Sequence, residues 1–220
     1  MSVWLDIGGR RAQALPGRAL WLPDTGTLVI ADLHLGKGEV FRRAGIPVPR
    51  GGTAADLARL GGLLAATGAR RLLVVGDLVH GRVPAEAGWL RAWSAWRATH
   101  PGLALALVGG NHDRHLDPTR LGFQDAGEVL HEGGLCFRHE PVAQGATHVV
   151  AGHLHPVARL RTRTLGARLP AFWLRPAMTV LPAFSAFTGG FQPPPADGGR
   201  LLACLPDALV AVPPRRPSGG

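Results

Sequence analysis

Four apolar runs, each breaking off into Asp, His or Asn, constrain the fold of this chain more than any other feature. Leu72-Leu73-Val74-Val75 stops at Gly76-Asp77, within LLVVGDLVHG. Leu28-Val29-Ile30-Ala31 runs into Asp32-Leu33-His34, and Leu105-Ala106-Leu107-Val108 into Gly109-Gly110-Asn111-His112-Asp113. His148-Val149-Val150-Ala151 runs into Gly152-His153-Leu154-His155. A continuous apolar run reads as a strand buried on both faces, the habit of parallel sheets under helices. Ligands in such sheets gather beyond the carboxyl ends of the strands. All four runs therefore deliver polar side chains to one rim. Carboxylate, imidazole and amide together there read as a metal site, with Asp77 as its centre.

The stretches between the runs agree with that placement. Short strands at Arg10–Leu15, Ala19–Leu22 and Thr27–Ala31 are separated by Pro16-Gly17 and Asp24-Thr25-Gly26 turns. Asp32 to Arg50 reads as mostly irregular, because it holds Gly36, Gly38, Gly45, Pro47 and Pro49; a loop of that length is a functional or mobile one. Thr53 with Asp56 predicts the start of a helix whose stripe is Leu57, Leu60 and Leu64 and whose C-cap is Gly68. A second helix, about Ala85 to Thr99, carries Trp89, Trp93 and Trp96 on one face. That stripe packs on a sheet or forms a homodimer contact, and core packing is the simpler reading. Residues 116–145 read as turn-rich connections and short strands, including Gly134–His139. Beyond His155 helical periodicity disappears, and Val157–Arg163, Ala171–Leu174, Met178–Leu181 and Leu201–Leu205 read as a meander. The expected architecture is two packed sheets flanked by helices. It forms a single domain over 1–212, followed by a disordered basic tail at 213–220, PPRRPSGG.

Composition narrows the class. No run of eighteen apolar residues exists, so a spanning helix is excluded, and the N-terminus lacks the charged and apolar blocks of a secretion signal. Cys136 and Cys204 are too few for a disulfide framework and read as buried thiols of a cytoplasmic protein. A net charge of +9 suggests a polyanionic partner. All but one of the 24 basic residues are Arg, and the sole lysine, Lys37, lies three residues after His34. A chain otherwise free of lysine keeps one beside its metal motif.

Set in order, the motifs are D-x-H (Asp32, His34), G-D (Asp77), G-N-H-D (Gly110 to Asp113), a lone His139 and G-H-x-H (His153, His155). This series resembles the signature of the calcineurin-like metallophosphoesterases. Within that family, DLHLGKGEVFRRAGIPVP (Asp32 to Pro49) and LPAFSAFTGG (Leu181 to Gly190) look most like the ligase-associated DNA damage response endonucleases, the PdeM branch. The resemblance implies a four-layer α/β/β/α sandwich of two mixed sheets and a dinuclear site. Hydrolysis of a phosphate ester needs a nucleophilic hydroxide at neutral pH and positive charge for the phosphoryl oxygens, and two divalent ions roughly 3.5–4 Å apart supply both. By the resemblance Asp77 bridges the ions, Asp32, His34 and His155 complete one, and Asn111, His139 and His153 complete the other. Ligands without thiolate suit Mn, with Fe or Zn as alternatives. His139 is chosen over His131, in a turn, and His148, at the start of a strand.

The resemblance makes His112 no ligand but the residue that assists the leaving oxygen, with Asp113 orienting it; such proton transfer contributes ~10²–10⁴-fold. Lys37, Arg42 and Arg43 after His34, and Arg114 after the N-H-D run, are the candidate substrate contacts. Arg159, Arg161 and Arg163 alternate along one strand as a second basic face. His80, His100 and His115 read as surface residues or neighbours of the site. These features imply a phosphodiesterase acting on DNA, an endonuclease in repair, whose family associates it with an ATP-dependent ligase, a helicase and an exonuclease. Two other readings stay open: a phosphodiesterase or phosphatase for small nucleotides, and a non-catalytic metal-containing DNA scaffold. The paired His112 and Asp113 speak against the scaffold.

Overall fold

The computed structural model describes residues 1–81, 87–161, 166–186, 188–194 and 199–212. The tail at 213–220, Arg163 and the start of the tryptophan helix at Ala85 lie outside them. The first sheet runs in the order β1 (Val3–Ile7), β2 (Arg10–Leu15), β3 (Ala19–Leu22), β4 (Thr27–Ile30), β5 (Arg71–Val75), β6 (Ala104–Val108) and β7 (Gln124–Asp125). It is antiparallel from β1 to β4 and parallel from β4 to β7. The change at β4 follows from the connections: turns of a few residues join antiparallel neighbours, whereas parallel ones need a crossover. Those crossovers contain α1 (Lys37–Arg43), α2 (Gly52–Thr67) and α3 (Gly88–Ala98).

In the second sheet the neighbours are β15 (Leu209–Val212), β14 (Arg200–Cys204), β12 (Gly166–Arg175), β13 (Met178–Val180), β10 (His148–Ala151), β9 (Leu135–Arg138) and β8 (Val129–Glu132), while β11 (Val157–Arg161) pairs with β12. The two-residue period of a strand assigns the faces. On β5, Leu72 and Val74 meet Leu57, Leu60 and Leu64 of α2 and Trp89, Trp93 and Trp96 of α3. Leu73 and Val75 turn the other way, to Phe137, Val150 and Phe172 of the second sheet. The tryptophan stripe is thus core, and each such burial stabilises the fold by about 1.5–3 kcal/mol. Beyond the second sheet, Cys136, Val149, Ala151, Trp173, Met178 and Val180 form a thin apolar cluster. No α-helix covers that face among the described residues.

One local expectation is corrected and another is filled in. The segment after Asp32 is mostly irregular, as expected, with α1 formed inside it. Its glycines and its single buried residue, Lys37, hide it from periodicity, and Glu39 ties it down by accepting the N–H of Gly88 at 3.1 Å. Thr53 does not cap α2. Gly51, at φ 84°, occupies that position, and the Thr53 hydroxyl instead accepts the Gly36 N–H at 3.3 Å. Gly68 closes the helix as expected, its N–H donating to Leu64 O.

Candidate metal centre

The polar residues after β4, β5, β6, β9 and β10 converge at one rim between the two sheets. The segments after β4 and β5 run side by side: Asp32 N–H donates to Gly76 O at 3.1 Å and His34 N–H to Asp77 O at 2.9 Å. From the second sheet, His153 N–H donates to the Asp32 carboxylate at 3.1 Å. Among described non-glycine residues, left-handed φ occurs at Arg18, Asp32, His34, Asp77, His153 and His155. All but Arg18 are expected metal ligands, so the backbone is strained where the side chains must turn inward. Two motif glycines have a steric cause. A Cβ on Gly110 would lie 2.4 Å from Asp77 Oδ1, and one on Gly76 2.0 Å from His139 Nδ1.

Two donor sets meet at Asp77. Its Oδ2 lies 4.0 Å from His34 Nε2, and its Oδ1 3.5 Å from His139 Nε2. On the first side, His155 Nε2 stands 3.3 Å from Asp32 Oδ1, and donor atoms of Asp32, His34 and His155 lie within 4.8 Å of one another. On the second, His139 Nε2 lies 3.0 Å from Asn111 Oδ1 and 3.1 Å from His153 Nδ1. Spacings of roughly 3 Å suit atoms that share an ion at about 2.1 Å. His34 Nδ1 and Nε2 and His155 Nε2 are buried without a hydrogen-bond partner. Such orphaned ring nitrogens are costly to bury unless something binds them. Burial drives the His34 pKa down to about 2, leaving a neutral imidazole with a free lone pair. Burial raises the Asp77 carboxyl, but the hydrogen bond and charge of His139 and the His112 N–H outweigh it and hold the group at about 2. These residues fit a pair of divalent ions. Of the histidines weighed against His139, His148 bonds Thr179 Oγ1 at 3.0 Å and His131 lies on β8, so neither joins the site.

The expected pairing of His112 with Asp113 is corrected. The Asp113 carboxylate accepts the N–H groups of Leu78 (3.2 Å), Val79 (3.2 Å) and Gly110 (3.0 Å), so it clasps the turns after β5 and β6. His112 is held instead by its N–H to Asp77 Oδ1 at 3.0 Å and by stacking on His80, ring centres 4.7 Å apart. Its Nε2 lies 3.9 Å from Asp77 Oδ2, at the mouth of the site. His80 also meets the rings of His34 and Phe41 at 5.2 and 5.7 Å. Its position three residues past Asp77 was the available sign of this role.

The loop cations also separate. Lys37 is 7% exposed; burial lowers its pKa and the nearby charges of Asp32 and Asp77 only partly oppose that fall, so its ammonium sits inside the rim close to the two buried carboxylates. Arg42 donates to Pro49 O at 3.1 Å and closes its own loop. Arg43 and Arg114 remain exposed.

The chain is similar to known proteins. The model for calcineurin-like phosphoesterases matches residues 26–185. The crystal structure of the Pseudomonas putida nuclease MPE aligns at 33% identity with a TM-score of 0.83, covering 96% of this chain and all (100%) of that one. Yfce, a phosphoesterase from E. coli, aligns at 19% identity with a TM-score of 0.46, covering 86% and 99%. No match is found among curated proteins. The two donor sets around Asp77, the order of the motifs and the family match agree: the chain belongs to the calcineurin-like phosphoesterases and is a metal-dependent phosphoester hydrolase.

Proposed function

We propose that this protein is a dinuclear phosphodiesterase that cleaves nucleic acid, with DNA as substrate, internal cleavage as its mode and repair as its setting. The observation that carries the reading is Asp77, whose two oxygens face separate donor sets. The similar fold and 33% identity of the P. putida nuclease support the substrate class, as does the net charge of +9. Two divalent ions, manganese by the resemblance, would supply the positive charge and the activated water that the hydrolysis needs.

The chain's own residues do the rest. Asp32, His34, Asp77 and His155 would hold one ion, and Asp77, Asn111, His139 and His153 the other. His112, stacked on His80 at the open side, protonates the leaving oxygen through Nε2. Asp113 keeps the β5 and β6 turns closed so that Asp77 and Asn111 stay in register. Lys37 adds fixed positive charge to a rim that carries two buried carboxylates.

The test is turnover by manganese-loaded protein on circular single-stranded DNA, linear DNA, a cyclic dinucleotide and a phosphomonoester, each repeated in chelator. Cleavage of the circle, lost in chelator and restored by manganese, is expected. Turnover confined to the dinucleotide or the monoester would move the assignment to small nucleotides, and full activity in chelator would remove the metal mechanism.

A further inference from the structure

Two cavities flank the metal centre, and their charge differs. One, of about 400 Å³, reaches Asn111 and His139. Its ionic lining is Arg114 and Arg138 against Asp113, Asp125, Glu128 and Glu140. The other, of about 320 Å³, reaches His155 and is lined by Arg18 and Arg168, with no carboxylate among the described residues. An anion extending from the metals is therefore repelled by the first and attracted by the second.

The details of the second cavity fit an anion. Arg18 sits at φ 69°, a left-handed conformation uncommon for a non-glycine residue. Its Nη1 donates to Phe184 O at 3.3 Å and Ser185 O at 3.1 Å. Arg59 Nη2 donates to the same Phe184 carbonyl, so two guanidinium groups converge there. The neighbouring carboxylate, Asp56, is taken by Arg59 at 2.8 Å, and Arg18 has no ion-pair partner among the described residues. Arg168, whose Nη2 donates to Gly190 O, also lines the cavity and lies directly across from Arg159 in the β11–β12 pairing. Like charges in facing positions of an antiparallel pair repel, and an anion between them removes the penalty. The cavity also abuts the metal centre: Ser185 N–H donates to Asp32 O at 3.1 Å, and His155 is part of the lining.

We propose that this cavity is a second phosphate site, in which Arg18 and Arg168, with Arg159 beside them, bind a phosphate of the nucleic-acid strand flanking the one that is cleaved. The proposal rests on the nucleic-acid reading above and adds a direction to it. The strand leaves the metals toward its charged side on the β11–β12 hairpin, and the carboxylate-lined cavity takes the opposite neighbour by its uncharged sugar and base.

The test uses three dinucleotides and calorimetric binding to the metal-stripped full chain, where no hydrolysis occurs. The dinucleotide d(TpT) carries only the central phosphate, whereas d(pTpT) and d(TpTp) add one at the 5′ or 3′ end. One of the phosphorylated pair is expected to bind roughly tenfold tighter than d(TpT), the scale of one charge-assisted contact. That advantage should fall below about twofold in Arg168→Ala, whose side chain is exposed, and in Arg18→Gln. Equal binding of all three by the wild-type protein, or an advantage intact in both variants, would overturn the proposal. Failure of the nucleic-acid reading appears elsewhere, as absence of DNA cleavage by the manganese-loaded protein.

Discussion

At the scale of single residues, chemical type and position along the chain identified most of the site, but partners required the folded structure. The motif residues Asp32, His34, Asp77, Asn111, His153 and His155 follow buried strands, so their side chains had to emerge at the rim. His139 follows the same rule at the end of β9. Asp113 does not, because its task depends on N–H groups of Leu78 and Val79, 35 and 34 positions away. This separates two neighbours by experiment. His112→Ala should keep its metals and its stability but lose roughly 10²–10⁴-fold in turnover, the loss shrinking with a nitrophenolate leaving group that needs no proton. Asp113→Ala strands two buried N–H groups and a part-buried one, the buried ones each worth about 1–3 kcal/mol if left unmade, and should lower urea stability by about 2 kcal/mol or more. Equal stability of the two variants would return Asp113 to the task of orienting His112. Metal analysis completes this scale: Asp77→Ala should lose both ions, and His34→Ala mainly one. Loss of a single ion from Asp77→Ala would exclude the bridging position.

At the scale of elements, the strands were legible and the short helix was not. β4, β5, β6 and β10 are apolar runs with both faces buried, and α2 and α3 carry stripes of Leu and Trp, so each announces itself through period and composition. α1 has seven residues and one buried side chain, so only its contact with the start of α3 reveals it. The ends of the strands store the strain of the site. His155 has φ 49°, and the same left-handed turn recurs at His34, Asp32, Asp77 and His153. In metal-free protein, His155→Gly should therefore be more stable than His155→Ala by about 1 kcal/mol, the reverse of the usual order, because glycine accepts this conformation without a Cβ clash. Denaturant midpoints of the two variants decide it: a more stable alanine variant would mean that the turn is relaxed.

For the whole molecule, the buried rim sets the response to acid. Burial holds His34 at a pKa of about 2, and burial with Lys37 and His112 nearby holds His80 at about 4. In the unfolded chain both would take a proton below 6.5, so the unfolded state binds more protons. Their contribution to metal-free stability is full above that value and is lost as the pH falls through 6.5 toward 4. Asp77, held at about 2, adds a loss below 3.8. His139 works in the opposite sense: burial lowers its pKa, the hydrogen bond and charge of Asp77 outweigh that and raise it above the usual value, and its contribution fades as the pH rises. His148, lowered by burial, adds to the first sense, and Asp56 and Asp113, raised by burial, add to that of His139. The large shifts of His34 and His80 decide the sign and predict a urea midpoint for the stripped protein that drops between about pH 7 and pH 4.5. A flat midpoint across that range would mean that water reaches these imidazoles in the metal-free state.

The sequence by itself determined where the chemistry lies. Asp and His are costly inside a buried parallel strand unless paired, as His148 at the start of β10 is with Thr179, so each polar break in an apolar run marks a strand end. Three such ends share the edge of the first sheet, and the fourth, after β10, meets them from the second. The order of motifs along the chain also carries the family. Tertiary structure alone decided which donors face one another across the two sheets, that Lys37 turns inward while Arg42 closes a loop, and that His80 supports His112. It also decided that Arg18, from the turn between β2 and β3, lines the same cavity as Arg168, next to His155. Those outcomes depend on contacts between residues far apart in the chain, and local period and composition carry no information about them.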